Sequence, residues 1–405
     1  MASRAMVPFL VGMMLLTGVC NTLLTKYQDN QCVRNCDDSH LGKRERFEQP
    51  VLQTAQMFVG EMGCWLVVGI MALLRRFSNT TIPSQEGYEA VSTNEDTEGP
   101  TEADADNNAK LQGKESALRG YRIMLLALPA ICDICGTTLM NAGLLLVAPS
   151  IYQMTRGALV LFVGLFSVIF LKRHLRVFQW MSLSGVVLGV ALVGLAGAIW
   201  PDKKPAASGT PGNDASDAAL AVIGVLLIAG AQIFTATQFV LEEWLLENST
   251  IEPIKVVGWE GVFGLVVTLL IMITMHLVVG RTTAGRHGYF DMVEGWRQMR
   301  SDSRIFISSI LIMISIGGFN FFGLSVTRTV SATSRSTIDT CRTLFIWVVS
   351  LGLGWESFKW LQIAGFGLLV YSTFVFNGLV QAPFKSMHDD HEIEELLPEE
   401  PIEHQ

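Results

Sequence analysis

Seven ionisable side chains lie inside apolar stretches of this chain: Glu61, Asp133, Arg156, Glu260, Arg335, Asp339 and Arg342. Gln153, Gln232, Gln238, Asn320 and His276 accompany them as neutral polar groups. A charge at the centre of a bilayer costs at least about 2.5–3.5 kcal/mol, so each needs a reason to be there. Guanidinium groups engage phosphate and carboxylate bidentately, which makes Gln153, Arg156, Asn320 and Arg335 candidates for holding a small anionic substrate. Arg156 has no acid within helical reach on its own segment. Arg335, Asp339 and Arg342 follow at intervals of four and three, so they share one helix face with Ser331, and Asp339 can pair with either arginine. Buried ion pairs that fix helix packing are the competing reading, and for Arg342, with Asp339 beside it, packing is the expected role. Glu61 and Asp133 are candidates for proton or cation coupling or for pairing with these arginines. Glu260 reads as lying nearer the membrane interface.

Other chemistry is thin. Cys132-Asp133-Ile134-Cys135 is a lone C-x-x-C, whereas structural zinc wants four ligands, so buried thiols are expected. Cys32 and Cys36 fall in the first hydrophilic loop and could pair in an oxidising compartment. The chain contains no H-E-x-x-H, Walker loop or G-x-S-x-G. No catalytic residue, metal ligand or cofactor is therefore assigned, and an enzyme is not expected.

The elements that must position these residues follow from composition. Of 405 residues, 50% are apolar and 16% charged, with a mean hydropathy of +0.39, whereas soluble domains carry about 25% charged residues. The apolar residues gather into blocks near the roughly 20 residues that a bilayer-spanning helix needs. Ten spans are predicted: 7–25, 53–74, 121–147, 150–171, 177–200, 218–241, 254–279, 305–327, 330–351 and 360–380. The first block reads as a membrane anchor, because Leu23 and Leu24 continue the apolar run past Gly18 and Cys20. Eight acids and no base lie between Glu86 and Asp106, and eight more between Asp389 and Glu403. Without them the chain holds 21 acids against 29 Lys and Arg. Both segments are polar and predicted to be disordered, within a linker at 77–120 and a tail at 381–405. Nothing basic and ordered suggests nucleic acid.

Lys and Arg divide evenly between the two sides of such a topology, so charge does not orient the chain. Two short motifs favour cytosolic termini. Glu392 with Leu396 and Leu397 fits an acidic dileucine signal, and Tyr88 with Val91 fits a tyrosine-based signal; both are read by cytosolic sorting adaptors. The sequons at Asn79 and Asn248 then also fall on the cytosolic side, and glycosylation of either would invert the orientation.

An offset of 180 residues aligns Gly143–Val190 with Gly323–Val370 without a gap, with nine of 48 positions identical, including Trp180/Trp360 and Gly185/Gly365. Spans three to five thus pair with spans eight to ten. The predicted fold is an all-α polytopic membrane protein of two five-helix repeats, 7–200 and 218–380, the second inverted because five is odd. Inverted repeats characterise secondary transporters, whose halves exchange inward- and outward-open shapes around a midplane site. Gly185-x-x-x-Gly189 permits close helix approach, either within the monomer or in a homodimer.

Gln153-Met154-Thr155-Arg156-Gly157 and Gly164-Leu165-Phe166-Ser167-Val168 resemble the drug/metabolite transporter superfamily and, more narrowly, solute carrier family 35, subfamily F. Val240-Leu241-Glu242-Glu243, Glu260-Gly261-Val262-Phe263-Gly264, Ser331-Ala332-Thr333-Ser334-Arg335 and Leu353-Gly354-Trp355-Glu356 support it. The resemblance runs from the first span to the last and fails in the linker and most of the tail. It implies a ten-span carrier with cytosolic termini, related to nucleotide-sugar transporters, in lysosomal or other endomembranes, with mitochondrial or Golgi membrane as alternatives. The expected activity is secondary transport of a small polar, anionic metabolite, a nucleotide or nucleotide sugar among the candidates. The alternative is a membrane scaffold whose acidic segments hold soluble partners.

Overall fold

The computed structural model describes residues 6–36, 45–47, 49–77, 120–146, 152, 155–199, 214–282, 285, 288, 290–354 and 358–380. Among these the chain is helical apart from a short hairpin, β1 (Cys32–Arg34) with β2 (Glu45–Arg46). The helices are α1 (Met6–Asp29), α2 (Pro50–Met62), α3 (Cys64–Phe77), α4 (Ala127–Leu146, entered through a 3₁₀ turn, Gly120–Leu126), α5 (Leu159–Phe170) and α6 (Val177–Ile199). They continue with α7 (Asp214–Glu247), α8 (Pro253–Met275, ending in a π turn, His276–Gly280), α9 (Met292–Ser301), α10 (Ser303–Thr329), α11 (Ala332–Gly352) and α12 (Trp360–Phe376).

Six segments among the described residues are long and apolar enough to cross a membrane: Met6–Asp29, Pro50–Leu74, Ile123–Leu144, Val222–Glu247, Pro253–Gly280 and Ser303–Thr329. Their exteriors expose Leu66, Leu226, Leu270 and Ile314 as a lipid-facing surface would. α5, α12 and the apolar part of α6 are shorter. Local sequence sets the boundaries. Pro50 and Pro253 open α2 and α8 in the first turn, where their missing N–H costs nothing. The Ser331 side chain accepts from the Ser334 N–H and starts α11 two residues after α10 ends. The tight link expected at Arg328–Thr329 thus falls at Val330–Ser331. The fourth span, expected from Ser150, is described as continuous helix only from Leu159. The sixth, expected to end at Leu241, runs on to Glu247, and that extension matters below.

Packing follows a pattern of antiparallel pairs. α4 lies along α7, with Gly136 against Ala231 and Thr235 and Gly143 against Gly224 and Ile228. α1 lies along α10, from Phe9 on Phe322 through Asn21 on Ser315 to Gln28 on Ser309. α6 lies along α12, where a β-carbon at Gly189 would come 2.8 Å from the Gly365 carbonyl. The close approach that Gly185 and Gly189 allow is therefore used within the chain. α2 and α3 cross α8, with Phe58 on Gly264, Glu61 on Gly261 and Trp65 on Gly258. Outside the bundle, α9 packs over the hairpin: Arg34 pairs with Glu294 at 2.7 Å, and Phe47 is buried with Met299 and Ile305. Cys32 and Cys36 form a disulfide in this cap.

Candidate functional site

α11 carries Arg335, Asp339 and Arg342 into the bundle, and each arginine has a different neighbourhood. Arg335 sits in the first turn and is 1% exposed. Its Nη1 donates to Glu242 of α7, and its guanidinium carbon lies 4.2 Å from the centroid of the Phe239 ring. Gly323 of α10 makes room: a β-carbon there would stand 2.8 Å from Arg335 Nε. Asp339 does not pair with Arg335. It pairs with Arg342, Nε to Oδ1 at 3.2 Å. Arg342 also lies 4.7 Å over the Phe319 ring and against Gly18 of α1, where a β-carbon would meet its Cδ at 2.7 Å.

Around Arg335 lies a set of acids. Glu61 of α2, Asp133 of α4, Glu242 of α7 and Glu260 of α8 are close enough for their charges to interact with one another and with Arg335. Glu61 accepts a hydrogen bond from Asn320 Nδ2 of α10 at 2.5 Å. Glycines bring these helices together: Gly60 and Gly317 meet where α2 crosses α10, and Gly261 meets Glu61 where α8 crosses α2. Glu260 is 5% exposed and its Oε1 has no hydrogen-bond partner among the described residues. It is thus buried against neighbouring helices. Glu242 escaped sequence reading because its span was ended one residue too early. The neighbouring Glu-Glu pair and the helical run beyond it were the available signal.

On the other side of Asp339 the charge is basic. Arg156, just before α5, is half-buried and has no hydrogen bond or ion pair to any described residue. Arg156 and Tyr152 are close enough to Arg342 for their charges to interact. The acids therefore gather around the start of α11, and the guanidinium groups of Arg156 and Arg342 around its middle.

The end of the bundle beyond Arg335 is tied shut. Glu243 accepts from the Ala332 N–H at 3.1 Å, capping α11, and pairs with Arg173 at 3.0 Å. Arg173 also pairs with Glu247. Ser167 of α5 shares a hydrogen bond with Thr333 of α11 at 3.1 Å.

Of the residues singled out from sequence, the structure thus brings Glu61, Asp133, Asn320 and Arg335 to one neighbourhood and Arg156, Asp339 and Arg342 to another. Gln153, Tyr88, Val91, Glu392, Leu396, Leu397 and Asn79 lie outside the described residues. Cys132 and Cys135 carry free thiols. Among the described residues no three His, Cys, Asp or Glu side chains are grouped to hold a metal ion.

Comparison with known proteins adds a family. Residues 108–278 match the family profile described as nucleotide-sugar transporter. Human solute carrier family 35 member F6 is 34% identical over 373 residues, covering 92% of this chain and 88% of that protein. The mouse protein of the same name is 33% identical over 374 residues with the same coverage. An uncharacterized protein of Schizosaccharomyces pombe is 37% identical over 370 residues, covering 91% of this chain and 97% of its own length. A crystal structure superposes with a TM-score of 0.56 at 14% identity, covering 94% of this chain and 99% of that one, which is a likeness of fold alone.

Proposed function

This chain belongs to solute carrier family 35, and from that premise we propose that it is a secondary transporter moving a small anionic metabolite of the nucleotide or nucleotide-sugar class by alternating access. It is a multi-pass membrane transporter and not an enzyme. The observation that carries the substrate class is Arg156. Its guanidinium is half-buried, pairs directly with no described acid, and shares a neighbourhood with Arg342, Asp339 and Tyr152. A planar fork so placed is suited to a phosphate.

The proposed architecture is ten spans in two inverted five-helix units, 7–200 and 218–380, with α2 and α3 forming one span and α9 lying outside. Helix pairing supports it. Exchanging the units turns the α4–α7 pair into α10–α1, α2–α10 into α8–α4 and α5–α7 into α11–α1. The same exchange returns α2–α8, α5–α11 and α6–α12 to themselves. Units related in this way can rock against each other around a fixed site. Arg173, Glu243 and Thr333 tie the bundle together at the start of α11, and Arg156 lies nearer its middle, beside Arg342.

Endomembrane residence with cytosolic termini completes the reading. A disulfide at Cys32–Cys36 supports it, because disulfides persist in oxidising compartments and this loop would face the lumen. The tail signal at Glu392, Leu396 and Leu397 would meet sorting adaptors in the cytosol. The test is uptake in proteoliposomes holding the purified chain, screened with radiolabelled nucleotides, nucleotide sugars and amino acids. Saturable uptake of a nucleotide or nucleotide sugar is expected. Indifference to every solute would favour the scaffold alternative.

A further inference from the structure

Three carboxylates in the core face no base of their own. The positive charge that reaches Glu61, Asp133 and Glu260 among the described residues is Arg335, and its Nη1 is already engaged by Glu242. Glu61 is 3% exposed and Glu260 5%, so water does not neutralise them either. No three of the described acids, cysteines or histidines are grouped to ligate a metal ion. A proton needs only one free lone pair.

Among the described residues, Glu260 offers such a lone pair. Glu61 is held as an acceptor by Asn320 Nδ2 at 2.5 Å. Glu260 Oε1 is buried and has no hydrogen-bond partner among the described residues. The two acids come from helices that touch: Glu260 precedes Gly261, where a β-carbon would lie 2.8 Å from Glu61 Cβ. The charge of Glu61 reaches Glu260, as do those of Glu242 and Asp133, and a nearby like charge in a buried site favours keeping a proton on one of the two acids. The other groups facing the pair are Asp133 of α4, Glu242 of α7, Cys64 of α3, Arg335 of α11 and the neutral Asn320 of α10.

We infer that Glu61 and Glu260 form a proton-binding pair across the α2–α8 crossing, with Glu260 carrying the proton and Glu61 accepting from Asn320. The pair gains one proton from one side of the membrane and returns one to the other, so no bond beyond the O–H forms or breaks. α2 and α8 hold matching places in the two proposed units, so rocking the units would change which side reaches the pair. Intramembrane carboxylates commonly serve as such relays. The coupling of this proton to substrate rests on the transporter reading; the proton site does not.

Two measurements separate the two. Infrared difference spectra of the purified full chain, titrated from mildly acid to mildly alkaline pH in H₂O and D₂O, should show the C=O band of a protonated carboxyl. The band should vanish in Glu260→Gln, shift its titration midpoint in Glu61→Gln and survive in Asp133→Asn. A wild-type chain without the band overturns the proposal, needing no variant, and so does a band that persists in Glu260→Gln. In proteoliposomes an imposed pH gradient should accelerate uptake of radiolabelled UDP-glucose or UMP by the wild-type chain several-fold and leave Glu260→Gln unaffected. Equal stimulation of both overturns the coupling. A wild-type chain that binds the proton as described yet moves none of the probes removes the transport reading and leaves the site standing.

Discussion

Arg335 and Glu242 meet across the α7–α11 interface with side chains 2% and 1% exposed, 93 residues apart in sequence. Removing one partner of a buried pair leaves an uncompensated charge and costs about 3–5 kcal/mol, whereas replacing both with apolar groups of similar volume is often tolerated. Arg335→Ala and Glu242→Ala should therefore each lower the yield of monodisperse detergent-extracted protein. Arg335→Met combined with Glu242→Leu should recover much of it. Fluorescence-detected size exclusion on the three variants checks this, and a double variant that falls as low as or lower than the single ones would contradict it.

That pair also marks where sequence reading ran out. The span boundary at Leu241 followed hydropathy, but α7 continues as helix to Glu247 because its last turns are buried against α11 and paired with Arg173. Pairs close in sequence were legible: Asp339 and Arg342 follow from helical spacing. Glu61–Asn320 and Arg335–Glu242 join residues far apart in the chain, and no periodicity within one helix reveals which helices touch.

Arg342 and Asp339 provide a second stability test. Arg342 is enclosed by Asp339, Phe319 and Gly18, surroundings that fit a packing role. Arg342→Ala should reduce folded protein by a few kcal/mol equivalent. Asp339→Asn with Arg342→Gln should restore part of the loss by replacing two charges with two amides. The thermal midpoint in detergent is the measurement, and no recovery in the double variant would argue against the pairing.

Glycine substitutions probe the crossing of α2 and α8. A methyl group at Gly261 would come 2.8 Å from both the Glu61 carbonyl carbon and Cβ, closer than real contacts allow. Gly261→Ala must push α2 from α8 and should cost about 1–3 kcal/mol, as overpacking does. Gly230→Ala, in α7, meets nothing within 4 Å. It should be neutral or stabilise by about 0.5–1 kcal/mol through lost unfolded-state freedom. A thermal midpoint lowered equally by both would contradict this contrast.

Orientation is testable through the cap. Cys32 and Cys36 should react with a maleimide–polyethylene glycol reagent in denatured protein only after reduction, by comparison with the Cys32→Ala, Cys36→Ala double variant. An epitope placed after Gln405 should meet antibody once the plasma membrane alone is permeabilised. Protection of that epitope until organelles are opened, or a glycosidase-sensitive shift at Asn248, would invert the topology.

Arg156 separates binding from folding. Its half-buried guanidinium has no described partner, so its loss leaves no orphaned acid behind, unlike the loss of Arg342. Lysine keeps the charge but replaces a planar five-donor fork with a compact ammonium, which cannot engage a phosphate or carboxylate bidentately. A charge-assisted hydrogen bond contributes about 1.5–3 kcal/mol, so forfeiting one should reduce uptake by roughly ten- to a hundred-fold. Arg156→Lys should fold with a wild-type elution profile and thermal midpoint while uptake of the best solute falls by that factor. Arg156→Ala should fold nearly as well and transport less still. Normal uptake by Arg156→Lys would remove Arg156 from the substrate site. Aggregation of Arg156→Ala to the extent of Arg342→Ala would instead make it a packing residue.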